Sequence, residues 1–316
     1  MKLVFCGTPR FAVPTLEVLI AAGHEMALVV TQPDRPVGRT QQLTAPPVKV
    51  TALAARLAVT QPEKIRYNTE FREQLQSIAP DAIVVVAYGR IIPPWMLTLP
   101  RLGCINLHAS LLPRYRGAAP IQWAVAMGET VTGNTTMLLE EGLDTGPILL
   151  QRSMAIDPQQ TAADLFVTLA EAGAPLLVET LAGLDKGRIH PQVQDHGLAT
   201  LAPLLDREDG RMDFAAHTAT ELYNRWRGFQ PWPGAYTQLD NKKLIVHRMA
   251  VSERPGVAAS ALIMPGQIHI EPGKLLVACA ADTWLELIEI QLEGKKRMLA
   301  AEYLRGAALA DGARLG

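Results

Sequence analysis

The 316-residue sequence predicts an α/β chain in two parts, a parallel sheet wound with helices followed by a small β-barrel. Three observations carry that expectation. Short apolar runs alternate with helix-spaced stretches from Lys2 to Leu184, a stretch mixing glycine, histidine, proline and charge follows, and then come four apolar runs separated by Gly and Pro turns. Typical domain sizes of roughly 100 to 200 residues also favour two cores.

The elements follow in order. Lys2 to Cys6 is an apolar run ending at Gly7, Phe11 to Ala22 has helical spacing that stops at Gly23, and Met26 to Thr31 is a second apolar run, together a parallel βαβ unit. A long loop comes next. Pro47 to Leu57 and Phe71 to Ile78 are helical by spacing, and Asp81 to Tyr88 is the kind of run buried in a parallel sheet. After a turn at Leu99-Pro100, Gly103 to His108 reads as a short strand. Pro120 opens a helix running to Gly128, since a missing amide costs nothing in the first turn. Thr135 to Leu139 is a strand, and Thr161 to Leu184 is a long helix with Gly173 and Pro175 as points of kinking or division. The domain boundaries expected are 1–189, a linker at 190–206 inside the mixed stretch, and 207–316. The runs Leu244 to Met249, Gln267 to Ile270, Leu275 to Ala280 and Leu285 to Ile290 supply the barrel.

Composition excludes several classes. Hydrophobic residues make up 48% and charged residues 19%, the profile of an ordinary enzyme. Cys6, Cys104 and Cys279 are odd in number and lack zinc-like spacing, which argues against a disulfide framework and for a reducing cytoplasm. The segment before Cys6 is too short for a signal peptide, and no apolar run near the ~20 residues of a membrane helix is expected. Net charge is −1, and from residue 201 onward 14 basic and 14 acidic side chains balance. Lys242-Lys243 with Arg248, and Lys295-Lys296-Arg297, form basic clusters, which on charge alone read as solvated hairpins. Trp226, Phe229, Trp232 and Tyr236 could stack on bases, but beside Pro231 and Pro233 they read better as packing residues.

One constellation carries chemistry. On a strand, i and i+2 share a face, so Asn106 and His108 point together with Leu107 turned away. When an amine attacks a formyl carbonyl, charge develops on oxygen, and fixed donors such as an asparagine amide and a protonated imidazole lower the barrier. The amine must also lose a proton, and Asp144, in Gly142-Leu143-Asp144-Thr145-Gly146, is the candidate to take it. A lone strand histidine is more often structural. Asp-Thr-Gly also suggests an aspartic protease, but that chemistry needs a second such carboxylate and no second copy of the motif occurs. A dinucleotide-binding dehydrogenase fits poorly, because Pro9 and Ala12 stand where the Gly-x-Gly-x-x-Gly fingerprint after Gly7 needs glycine.

The ordered set Asn106, His108, Ser110-Leu111-Leu112-Pro113 and then Leu143-Asp144-Thr145-Gly146 resembles the 10-formyltetrahydrofolate-dependent formyltransferases. Further blocks carry the likeness along nearly the whole chain: Phe5 to Pro9 with Phe11, Thr31 to Arg39, Val86 to Gly89, Arg207 to Asp213, and Phe229 to Ala235. The Gln32 to Pro47 segment is similar to the insert of the members that act on methionyl-tRNA. That resemblance implies a Rossmann-like formyltransferase domain and an oligonucleotide-binding (OB-like) barrel. It implies formyl transfer from 10-formyltetrahydrofolate, without a metal, to the α-amine of initiator methionyl-tRNA for translation initiation. Asn106, His108 and Asp144 would be catalytic; Ser110, Leu111, Leu112 and Pro113 would lie against the folate; Arg35, Arg39 and Phe11 would contact the tRNA and its methionine. A cytoplasmic monomer is expected. The alternatives are an amino-sugar nucleotide as acceptor, or an RNA-binding protein that no longer catalyses. The sequence departs from the family pattern at Thr40-Gln41-Gln42, where Gly-Lys-Lys is usual, at Leu204-Leu205-Asp206, and at Asn134, where valine is usual.

Overall fold

The computed structural model describes residues 1–38, 41–256, 263–306 and 309–316. The chain runs through β1 (Lys2–Gly7), α1 (Val13–Ala21), β2 (Glu25–Val30), β3 (Arg35–Val37), β4 (Gln42–Thr44), α2 (Pro47–Ala54), β5 (Val59–Thr60), α3 (Thr69–Ile78), β6 (Ala82–Val86) and α4 (Pro94–Leu97). It continues through β7 (Cys104–His108), β8 (Arg116–Gly117), α5 (Pro120–Ala126), β9 (Val131–Leu138), β10 (Ile148–Ala155), α6 (Ala162–Asp185) and β11 (Leu201–Ala202). Last come α7 (Ala219–Gly228), β12 (Tyr236–Leu239), β13 (Lys242–Ser252), β14 (Ile268–Glu271), β15 (Lys274–Ala278), β16 (Trp284–Leu292), β17 (Met298–Leu299) and α8 (Ala300–Gly306).

Two compact units emerge, each discontinuous in sequence. The first holds Met1–Pro120, Val131–Ala155 and Asp164–Pro203; the second holds Ile121–Thr130, Ile156–Ala163 and Leu204–Gly316.

In the first unit, seven strands among the described residues pair in the order β10-β9-β7-β6-β1-β2-β5. The five from β7 to β5 are parallel, four of them at the apolar runs expected and β5 at a place the sequence does not mark. Their middle is dry: Val4, Cys6, Leu28, Val30, Ile83 and Val85 form one buried cluster with Phe71 and Leu75 of α3. Each fully buried side chain of this size contributes roughly 1.5–3 kcal/mol relative to exposure. Gly23, at φ +76°, ends the first helical stretch as expected, and Asn68 starts α3 by accepting the Phe71 amide at 2.9 Å.

The sheet is not parallel throughout. β9 pairs antiparallel with β7, and β10 pairs antiparallel with β9, so the expected parallel core carries two antiparallel strands at one edge. Hydropathy hides β9 because its buried positions include Thr132, Asn134, Thr135 and Thr136. The insert, expected as a loop, carries an exposed antiparallel hairpin, β3 with β4. Its Arg39, and Thr40 beside it, lie outside the described residues.

The helix expected to kink runs unbroken through Gly173 and Pro175. Pro175 is on the exposed side, so the carbonyl its ring leaves unpaired can turn to water. Gly173 is buried where a Cβ would sit 2.8 Å from Leu107 Cδ2, so glycine lets α6 approach the sheet. By length and composition this helix is apolar enough to cross a membrane, contrary to the expectation of no such run. Half of that stretch is buried, with Leu165, Leu169, Leu177 and Leu181 at helical spacing on the packed side.

The second unit is the antiparallel β-domain expected after the linker, with β12-β13-β16-β15-β14 in order and β17 on β16. Leu244, Val246, Leu275, Val277, Leu285 and Leu287 alternate inward over a core shared with α7. A capping box, Thr218 with Glu221, starts α7. Phe229 is buried and meets Trp123 edge-on at 5.5 Å, the packing role preferred for the aromatics, whereas Trp232 is 56% exposed.

Candidate active site

β7 brings the first two candidates together. Its register against β6 and β9 puts Asn106 and His108 on one face, while Leu107 is buried on the other. The Asn106 amide is partly exposed and makes no side-chain hydrogen bond among the described residues. His108 is nearly buried. Its Nε2 lies 2.9 Å from the Tyr115 carbonyl, which has only lone pairs to offer, so Nε2 carries a hydrogen and donates it there, leaving Nδ1 as the nitrogen turned toward Asp144.

Asp144 arrives from the connection between β9 and β10 and sets Oδ2 3.7 Å from His108 Nδ1. The antiparallel course of β9 matters here. Leu138, its last residue, pairs with Ile105 near the start of β7, so the connection leaves from the opposite end of the sheet from His108. A simple rule of ligands beyond carboxyl strand ends therefore locates His108 but not Asp144. Backbone at φ +51° and a 2.8 Å hydrogen bond from the Gly117 amide to Oδ2 hold the carboxylate in place. Oδ1 has no partner among the described residues, leaving one carboxylate oxygen for chemistry.

The loop after β7 is built from the sheet upward. Thr135 Oγ1 donates to the Ser110 carbonyl at 2.6 Å and accepts from the Leu112 amide at 3.1 Å and from Gln151 Nε2 at 2.9 Å. That uses a hydroxyl's one donor and two lone pairs. Gln151 also donates to the Leu112 carbonyl at 2.8 Å. The Ser110 hydroxyl is turned inward to the Arg114 carbonyl at 2.7 Å and Leu112 is buried, while Leu111 and Pro113 are partly exposed.

The residues expected at the acceptor end are dispersed. Phe11 is buried, its ring edge-on to Phe166 at 5.1 Å. Arg35 is exposed on β3 and donates to Gln32 Oε1 at 2.6 Å, and Gln32 in turn donates to the Tyr88 carbonyl at 2.9 Å. Below the hairpin, the Lys49 ammonium and then the Gln61 amide hold the Asp34 carboxyl below its ordinary range. Asn134 lies on β9 against α6, donating to the Leu169 carbonyl at 3.0 Å. Arg116 and Gln194, buried polar residues not singled out for the site, meet behind the Asp144 loop. Nothing in the linker's composition marks Gln194; the signal, a buried polar side chain, exists only in the fold.

The family model for formyl transferase matches residues 1–181 and that for its C-terminal domain matches 204–308. The chain is 66% identical over 316 residues to a methionyl-tRNA formyltransferase of Acidobacterium capsulatum, covering all of both. The chain belongs to the formyltransferase family. A methionyl-tRNA formyltransferase of Koribacter versatilis is 58% identical over 97% of this chain and 96% of its own. Solved structures share the fold at low identity. An N-formyltransferase from Helicobacter canadensis, in complex with folinic acid and dTDP-3-aminofucose, superposes with a TM-score of 0.64 at 17% identity, covering 91% of this chain and 98% of that one. HypX from Aquifex aeolicus in complex with tetrahydrofolic acid gives 0.57 at 14%, covering 96% and 47%. This formyltransferase chain thus sets Asn106 and His108 on one face of β7, with Asp144 against His108.

Proposed function

We propose that this chain transfers the formyl group of 10-formyltetrahydrofolate to the α-amine of initiator methionyl-tRNA, supplying the formylated species for translation initiation. The observation that carries the chemistry is the meeting of His108 Nδ1 and Asp144 Oδ2 at 3.7 Å, on the strand face that also presents the Asn106 amide, unpaired among the described residues. The full-length relatives named methionyl-tRNA formyltransferase support the acceptor.

The step follows from these groups. The amine nitrogen attacks the formyl carbon, and the carbonyl oxygen takes the displaced electron pair. The Asn106 amide N–H and the His108 Nδ1–H are the donors for that oxyanion, because Nε2–H is committed to Tyr115. Asp144 takes the proton the amine must lose. As the intermediate collapses, the carbon–nitrogen bond to the folate breaks and a proton returns to the leaving nitrogen.

Ser110, Leu111, Leu112 and Pro113 form the folate side of the site, Leu111 and Pro113 through their partly exposed surfaces. Arg35, with Arg39 and Phe11, serves the methionyl end of the acceptor. The domain division is 1–189 and 207–316 about a linker at 190–206, and the enzyme works as a monomer in the cytoplasm, where charged tRNA is made and used.

The test offers purified protein a labelled formyl donor with charged initiator tRNA, charged elongator tRNA and an amino-sugar nucleotide in parallel. Label is expected on methionyl-tRNA, most of it on the initiator. Labelled sugar nucleotide with unlabelled tRNA would overturn the acceptor, and no transfer to any acceptor would overturn catalysis.

A further inference from the structure

The linker reaches into the site. Gln194, 4% exposed, donates from Nε2 to the carbonyls of Asp144 at 2.8 Å and Gly146 at 2.7 Å. Its Oε1 accepts from Arg116 Nε at 3.1 Å and Nη2 at 2.6 Å, and Arg116, itself 6% exposed, also places Nη2 3.1 Å from His196 Nδ1. Six residues on, the Thr200 hydroxyl accepts the Tyr115 amide and its carbonyl accepts the Arg116 amide, both at 2.8 Å. β11 then pairs in parallel with β8.

Two of the catalytic side chains are each held by a backbone group, and these backbone groups belong to stretches tied to residues 194–202. His108 rests on the Tyr115 carbonyl; Asp144 rests on the Gly117 amide. Tyr115 and Asp144 are both non-glycine residues at positive φ, +59° and +51°, a conformation that costs of order 1 kcal/mol or more and persists only where neighbours over-determine it. Gln194 supplies that determination for Asp144, and Arg116 keeps the Gln194 amide oriented by occupying its oxygen with two donors.

We infer that Gln194, buttressed by Arg116, is a positioning residue that sets the approach of Asp144 to His108, so the linker is a strap on the active site. This rests on the catalytic assignment of those two residues. Gln194→Glu is the sharpest variant: it keeps an acceptor for Arg116, removes both donors and turns an oxygen toward the carbonyls of Asp144 and Gly146. Arg116→Lys, which keeps one donor for Gln194, is the milder companion and covers the case in which the first variant does not fold.

In the full chain, kcat and both KM values are measured together with the imidazole resonances of His108 in 15N-histidine-labelled protein. Gln194→Glu is expected to lower kcat by about 10- to 100-fold with little change in KM, as misplacement of a reacting group does. The His108 resonances should move, and Arg116→Lys should fall between it and the parent. A kcat within about twofold of the parent in both variants, or a loss confined to KM, overturns the inference. Unmoved His108 resonances overturn it too, and that arm decides even if the parent does not formylate methionyl-tRNA, a result that would sink the acceptor assignment instead.

Discussion

Asp144 Oδ2 accepts the Gly117 amide at 2.8 Å while facing His108 Nδ1 at 3.7 Å. One oxygen therefore serves both anchoring and electrostatics, and the two roles can be separated by substitution.

An amide oxygen can still accept from Gly117 but carries no charge. Asp144→Asn is expected to keep the fold and the melting temperature while kcat falls by roughly 10²–10⁴-fold, the range for removing a general base. Steady-state formylation beside a thermal melt checks it, and near-normal turnover would refute the proton role.

Among the described residues Asn106 has no side-chain partner to lose, so its truncation strands no buried group there. For Asn106→Ala the expectation is a fall in kcat of about 10²–10³-fold, as for loss of one oxyanion donor, with stability unchanged. A change in the folate KM alone would assign the amide to binding.

Gly117 stands at φ +122°, and a Cβ there would lie 2.6 Å from the Ala202 carbonyl oxygen. Gly117→Ala should therefore cost stability, roughly 1–3 kcal/mol, and activity together, because the amide that anchors Asp144 must shift. Denaturant melts and kcat from one preparation read both, and a loss in neither would mean the β8–β11 contact yields freely.

Asn134 is 1% exposed, with its Nδ2 bonded to Leu169 and its Oδ1 unpartnered among the described residues. Restoring the family's valine removes one hydrogen bond and one unpaired acceptor, whose desolvation costs about 1–3 kcal/mol, so Asn134→Val should be neutral or stabilising. A thermal melt that dropped by several degrees would show that the Leu169 bond outweighs the stranded oxygen.

Burial pushes the thiols of Cys104 and Cys279 up to about 12, and raises that of Cys6 well above its ordinary value. A thiol neutral in the fold and ionised when unfolded favours unfolding as pH rises, so this contribution to stability is intact below the ordinary value of 9.0 and is lost as pH climbs toward 12. Native protein at pH 8 should leave a thiolate-specific reagent almost unreacted, and all three cysteines should react after denaturation. Rapid labelling of native protein would contradict the burial.

Four of the five parallel strands were legible because each is an apolar run bounded by turn residues, as in Lys2 to Gly7 and Ala82 to Val86, whereas β5 is two half-buried residues and too short to leave such a run. β9 was half legible: its place was read, its direction was not, since four buried polar residues mask the pattern. Pro175 misled toward a kink because sequence does not say which side of a helix faces water.

For the site, residue types and the i, i+2 spacing of Asn106 and His108 were enough to name the chemistry, and local geometry carried both side chains to one face. Residue order thus accounts for the donors, the carboxylate and the family. Only the folded chain decides how Asp144 reaches His108 from the far end of an antiparallel strand, and that Gln194 holds it there. Strand periodicity is a property of neighbours in sequence, whereas a 3.7 Å approach between residues 36 apart depends on every hydrogen bond that fixes the intervening loops.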